Sequence, residues 1–219
     1  MTSKVDVVNL AALYLGQPAI ENFDTDTSKI GAAARASYEL ERRAVLRGFT
    51  WNFAIRRETI SATGSTPIYG FQHEFNWGGD WLRVLEVNGD DAESGNWVTE
   101  DRKILTDLGD EISVKVLYDH QTPDQWDPMF IEAFSRKMAW NWAETVLRST
   151  NATDEQRRAY AEVLRMAKSV DSKERTPDEV KADGWIRARG RIEARLAEND
   201  DRPLALLAND PNPARALVN

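Results

Sequence analysis

Apolar positions recur at two different spacings along the chain, and the change of spacing divides it into segments. Near the start, Val5, Val8, Ala12 and Leu15 repeat every three or four residues behind Ser3, a good N-cap, until Gly16 and Pro18 end the pattern. This predicts a first amphipathic helix. The run Asn22-Phe23-Asp24-Thr25-Asp26-Thr27-Ser28 is dense in side chains that bond their own backbone, so it predicts a loop that delivers a cap at Thr27 or Ser28. In the helix that follows, Ile30, Ala33, Ala34, Ser37, Tyr38, Glu41, Ala44 and Val45 fall near one face. Arg35, Glu39, Arg42 and Arg43 fall mostly on the other, which predicts a solvated charged stripe.

The helical spacing stops at Gly48, where a left-handed glycine would close the helix beside the cation Arg47. Phe49, Trp51 and Phe53 then alternate with Thr50 and Asn52, a period of two that places the three rings on one face. Gly48, Phe49, Trp51 and Phe53 are therefore read as a structural pivot, an aromatic plug between two halves of the fold. From there the pattern becomes short alternating runs separated by Gly, Asn and Asp clusters. It predicts a meandering antiparallel sheet with strands at 54–60, 69–75, 81–87, 97–100, 103–106 and 111–118, and tight turns at Asn88-Gly89-Asp90-Asp91 and Asp101-Arg102.

Helical spacing returns after Pro123. Asp124, Asp127 and Pro128 form a start signal, and Phe130, Phe134, Met138, Trp142 and Thr145 make the most hydrophobic stripe of the chain. Trp140 lies off that stripe and is expected to pack on the sheet or on an adjacent subunit. Thr153 or Asp154 is the expected cap of a further helix with a thinner apolar face of Tyr160, Val163, Leu164 and Ala167, so the two helices read as a hairpin. Thr176-Pro177-Asp178-Glu179 signals another helix start, beyond which Arg187, Arg189, Arg191 and Arg195 alternate with the intermittent anchors Trp185, Ile186, Leu204, Leu206 and Leu207. Neither set can build a core by itself, so the stretch reads as a docking arm that orders against a partner. The organisation predicted is α+β: an antiparallel four-helix bundle-like domain from residues 1–53 and 123–175, an inserted antiparallel β domain at 54–122, and an extended C-terminal arm at 176–219.

Composition narrows the chemistry. With 219 residues, 42% of them hydrophobic, the chain is long enough to bury a sizeable core. No apolar run approaches the roughly 20 residues that span a bilayer, and the first residues lack a signal-peptide core, so synthesis in the cytoplasm and no membrane partner are expected. The absence of cysteine removes disulfides and thiol nucleophiles. A formal charge of −8 argues against general nucleic-acid binding, which needs a local excess of Lys and Arg. Asp90, Asp91, Glu93, Glu100, Asp101, Asp107, Asp110 and Glu111 crowd the loop tips, but without the fixed ligand spacing of a calcium loop they read as solvated surface.

Catalytic patterns are missing as well. The chain has no phosphate-cradling glycine loop, no His-Glu-x-x-His helix and no Gly-x-Ser-x-Gly elbow. His73 and His120 are its two histidines, and Asp119 beside His120 would point to the opposite strand face, so a structural role is expected for both. No cofactor or metal is expected. The eight tryptophans leave a second function class, a carbohydrate-binding module built on stacked aromatics.

The order of segments resembles the tail tubular protein A family, the head-to-tail adaptors of short-tailed double-stranded-DNA phages. Its pieces here are Ala12-Leu13-Tyr14-Leu15-Gly16-Gln17-Pro18-Ala19-Ile20, the stretch from Tyr38 to Val45 running into Phe49-Thr50-Trp51-Asn52-Phe53-Ala54, Trp81-Leu82-Arg83-Val84, Val114-Lys115-Val116-Leu117-Tyr118, and Trp126-Asp127-Pro128-Met129-Phe130-Ile131-Glu132-Ala133. Asn76-Trp77-Gly78-Gly79-Asp80 departs from the Leu-Pro-type turn usual in that family. The resemblance implies a non-enzymatic virion protein, a dodecameric ring at the head-tail interface. Its partners would be further copies of itself, the portal protein above and a tail nozzle or other tail protein below, with DNA passing through the lumen.

Overall fold

The computed structural model describes residues 1–174; the stretch from Thr176 onward, with its proposed docking residues, lies outside the described residues. Among the described residues, four α-helices and two antiparallel sheets make an α+β fold: α1 (Lys4–Tyr14) and α2 (Lys29–Arg47) precede β1 (Ile55–Ser61), β2 (His73–Asn76), β3 (Trp81–Val87), β4 (Asp90–Asp91), β5 (Trp97–Glu100), β6 (Lys103–Thr106) and β7 (Glu111–Tyr118), and α3 (Pro128–Leu147) and α4 (Thr150–Lys173) follow.

Helix ends follow local chemistry closely. Ser3 caps α1 in a reciprocal capping box with Asp6, whose carboxyl is held below the usual range chiefly by the Ser3 hydroxyl. Ser28 caps α2 by accepting from the Gly31 amide, and the Asp127 carboxylate accepts from Met129 and Phe130 at the start of α3. Two expectations fail at the other ends. Gly48 closes α2 in a right-handed conformation, φ −70° and ψ −11°, so its freedom to adopt positive φ is not used. The cap of α4 is Ser149 and not Thr153 or Asp154, because Arg148 takes a left-handed turn at φ 52° and lets the next helix begin almost at once.

Helix α3 is central, packing against α1, α2 and α4, and for that reason it is apolar on more than one side. Phe130, Phe134, Met138 and Trp142 are buried as predicted, but Thr145 is exposed and Val146 takes its place. Polar atoms that enter this core are satisfied: Ser135 donates to the Val7 carbonyl at 3.1 Å, and Gln156 of α4 donates to the Tyr14 carbonyl at 3.1 Å. Trp140 does not pack on the sheet; it stacks on Tyr160 of α4 at 5.8 Å, with the Lys137 ammonium 4.0 Å from its ring centre.

The strands do not form one meander. They divide into a four-stranded sheet, β1-β7-β3-β4, and a three-stranded sheet, β2-β6-β5. The first strand pairs with the last along its whole length, Ile55 opposite Leu117 and Ser61 opposite Glu111. The expected 69–75 strand is shorter, beginning at His73. Turn chemistry explains the two hairpins: Asn88 and Gly89, at φ 51° and 86°, join β3 to β4, and Asp101 and Arg102, at φ 46° and 57°, join β5 to β6. Ile112, Val114 and Val116 of β7 share a core with Phe75, Trp97 and Ile104 of the second sheet, while Leu117 and Leu82 belong to the helical core. Both faces of β7 are thereby covered, and register shifts in β3 between Trp81 and Arg83 let Trp81 and Leu82 serve different cores.

Candidate functional site

At the predicted pivot, residues 49–54 are not a strand: Asn52-Phe53-Ala54 form a single 3-10 turn. The rings converge nonetheless. Trp51 is fully buried, edge-on to Phe49 at 5.1 Å and to Phe130 at 5.1 Å, and Phe53 meets Phe130 at 5.0 Å. The Trp51 indole donates to the Val45 carbonyl at 3.1 Å, occupying an acceptor near the end of α2. From the far end of α4, the Asp171 carboxylate accepts from the Asn52 amide at 2.9 Å. Gly48, Phe49, Trp51 and Phe53 thus belong to an interlocked aromatic joint.

Beside the joint lies a buried ionic network that the helical pattern does not foresee. Arg42, assigned to the solvated stripe, is 2% exposed and reaches across to the end of β7, where its Nη2 donates to both oxygens of Asp119 at 2.8 and 2.9 Å. Its other terminal nitrogen is 2.6 Å from Glu39, which also holds Lys4 at 2.7 Å. Asp119 and His120 lie just past the end of β7; His120 packs on Phe53 and Tyr118, and its Nδ1 accepts from the Thr122 amide at 3.3 Å. Burial, and then the Arg42 charge, push the His120 pKa down, so the ring is neutral near pH 7. Burial likewise raises the Tyr38 phenol above its usual range. Tyr38, Arg42, Asp119 and His120 contain no nucleophile paired with a base and make a structural clamp between α2 and the sheet. His73, the other histidine, sits 3.0 Å from the exposed Asp110.

A sizeable recess with convergent polar groups is formed by the outer side of α2. Glu39, Leu40, Arg43, Ala44 and Arg47 supply one wall, Trp77, Trp81 and Leu82 the floor, and Thr99 and Arg102 the opposite lip, around a volume of about 580 Å³. Leu40 is 72% exposed although its neighbours on the helix are charged. Arg47 donates to the Leu82 carbonyl, Arg102 stands 5.9 Å from the Trp77 ring centre, and the Trp77 indole donates to the Trp81 carbonyl at 2.9 Å. The Trp81 indole N–H is buried with no hydrogen-bond partner among the described residues. It rests on Gly78, where a Cβ would overlap the indole ring, so the position admits only a residue without a Cβ.

None of Leu40, Arg43, Arg47, Trp77, Trp81 and Arg102 is singled out as a site by sequence. One signal was available: a leucine on an otherwise charged helical stripe, followed by arginines three and seven positions on. The acidic loop tips do not converge, and no group of three or more His, Asp or Glu that could hold a metal occurs among the described residues. No described helix is long and apolar enough to cross a membrane. No family model matches the chain, and no curated protein matches it.

Proposed function

We propose that the chain is a structural virion protein, a head-to-tail adaptor that assembles into a ring beneath a phage portal and carries the next tail component. The observation that carries this reading is the ordered set of segments running from Ala12 to Ala133, whose members include the Trp51 joint and the Asp127-Pro128 helix start. A helical half with the character of a four-helix bundle, clamped to a strand half by Arg42–Asp119 and Trp51, would give each subunit two unlike sides, and contacts between unlike sides generate rings when the rotation closes. The net charge of −8 suits a lumen through which DNA slides without being anchored. On this reading the protein has no catalytic step. The arm from Thr176, with Trp185, Ile186, Arg187, Arg189, Arg191, Arg195, Leu204, Leu206 and Leu207, attaches the ring to the portal.

The carbohydrate-binding alternative is disfavoured by where the tryptophans lie. Trp51, Trp81, Trp97, Trp126 and Trp142 are all at most 5% exposed, and Trp77 and Trp140 are half-buried against Trp81 and Tyr160. None of these seven is exposed, and Trp185 lies outside the described residues. Mass photometry of the full-length protein, alone and with portal, tests the proposal. Particles of one uniform ring mass, free or on portal, are expected; a protein that stays monomeric with portal present and binds glycans would discard it.

A further inference from the structure

Among the uncovered apolar features of the described residues, two are complementary in shape. One protrudes: the loop between β1 and β2 carries Ile68 and Tyr69, 99% and 87% exposed, between Gly64 and Gly70, whose φ values of 80° and 91° shape the bend. The other is the recess under α2, with Leu40 on its wall and Trp77 on its floor. Large exposed apolar side chains next to one another on a loop mark a contact surface more often than isolated ones do.

The two features also differ in charge. Around the loop stand Glu100, Asp107, whose carboxylate accepts from the Gln72 amide at 2.7 Å, and Asp110, 89% exposed. Around the recess stand Arg43, Arg47 and Arg102, with one acid, Glu39, already held by Arg42 and Lys4. Arg43 lies 3.8 Å from Asp119, which Arg42 already occupies, and neither Arg47 nor Arg102 is within ion-pair distance of a carboxylate among the described residues. A negative apolar knob and a positive apolar hole therefore occur on every copy, and they share no residue. Such a pair matches head to tail, and its opposite charges orient the encounter. A volume of about 580 Å³ falls within the about 300–1,000 Å³ of sites that enclose drug-sized molecules and admits two side chains.

We propose that the Ile68–Tyr69 loop of one copy seats in the Leu40–Arg43–Arg47–Arg102 groove of the next, forming the repeating contact between copies. The contact rests on the ring reading only for its closure; the knob and the hole stand without it.

Because the chain has no cysteine, engineered thiols report on this contact alone. Full-length Ile68→Cys and Leu40→Cys proteins are oxidised separately and as an equal mixture, after thermal melts confirm that both exposed-site variants fold like the parent. Disulfide-linked dimer is expected in the mixture and not in either variant alone, and adding Arg47→Glu and Arg102→Glu to the Leu40→Cys chain should cut the cross-linked fraction at least tenfold. Absence of the heterotypic product, or equal cross-linking of Ile68→Cys with itself, overturns the proposal. Uniform rings by mass photometry without the cross-link would remove this contact and leave the adaptor reading intact. Cross-linked dimers, with no closed rings and no portal binding by mass photometry, would remove the adaptor reading and leave this contact.

Discussion

Two tryptophan clusters within the described residues show how differently the same side chain can be used. Around Trp51, every indole N–H has a partner: Trp51 donates to the Val45 carbonyl, Trp126 to the His120 carbonyl at 3.0 Å and Trp142 to the Ser37 hydroxyl at 2.8 Å, and the rings interlock edge to face with Phe130 and Phe134. Around Trp81 the packing is one-sided. Its N–H has no partner, Trp77 above it is half-buried, and three arginines rim the open side. The first cluster is shaped by the need to close a core, the second by the presence of a surface that is not covered. A buried orphan donor costs about 1–3 kcal/mol, so the second arrangement is less stable in itself than the first.

The comparison can be broken most severely at the joint. Trp51→Ala should cost about 3–5 kcal/mol, because the cavity lies between α2, α3 and the 3-10 turn and cannot collapse from one side. Thermal unfolding measures it, and an unchanged midpoint would refute the interlocked packing. A somewhat smaller loss, about 3 kcal/mol, is expected for Arg42→Met, which preserves bulk but leaves Asp119 buried without its partner. In urea titrations, Asp119→Asn added to Arg42→Met should recover part of that loss; equal stability of the single and double variants would mean the carboxylate is solvated.

At the groove, Gly78→Ala should cost about 1–3 kcal/mol by forcing the Trp81 indole off its seat, with a change in tryptophan emission that Gly79→Ala, where a Cβ meets nothing, does not produce. The smallest effect is a pH slope. The folded pKa of His120 lies below that of the unfolded chain, so the unfolded state binds the proton first. Its contribution is fully present above about pH 6.5 and is lost as pH falls toward the folded value. The fall in melting temperature between pH 7.5 and pH 5.5 should be shallower in His120→Gln than in the parent; an identical slope would show that folding does not lower the ring's pKa.

Much of the local structure was legible in the residues. Ser3, Ser28 and Asp127 cap where their hydrogen-bonding side chains and the following apolar spacing say they should, and the strands at 81–87, 97–100, 103–106 and 111–118 match their alternation. These are short-range effects, set by neighbours within a few positions. Arg42 was misread for the opposite reason: a charged residue on a charged stripe is ordinarily solvated, and only a carboxylate 77 positions away made burial favourable. The α3–α4 hairpin was foreseen, but not that it turns at Arg148, a left-handed residue that is not a glycine, or that it sets Trp140 on Tyr160.

What the order of residues decided alone is where helices begin, where strands alternate, and that Trp51 must be enclosed, since capping, pleat and hydrophobic burial act through local pattern and composition. The pairing of the first strand with the last, the division into two sheets, the Arg42–Asp119 clamp and the arginine-rimmed groove arise only in three dimensions. Each joins residues far apart in the chain, and the free energy of such a contact depends on what surrounds it after folding, which no spacing of residue types encodes.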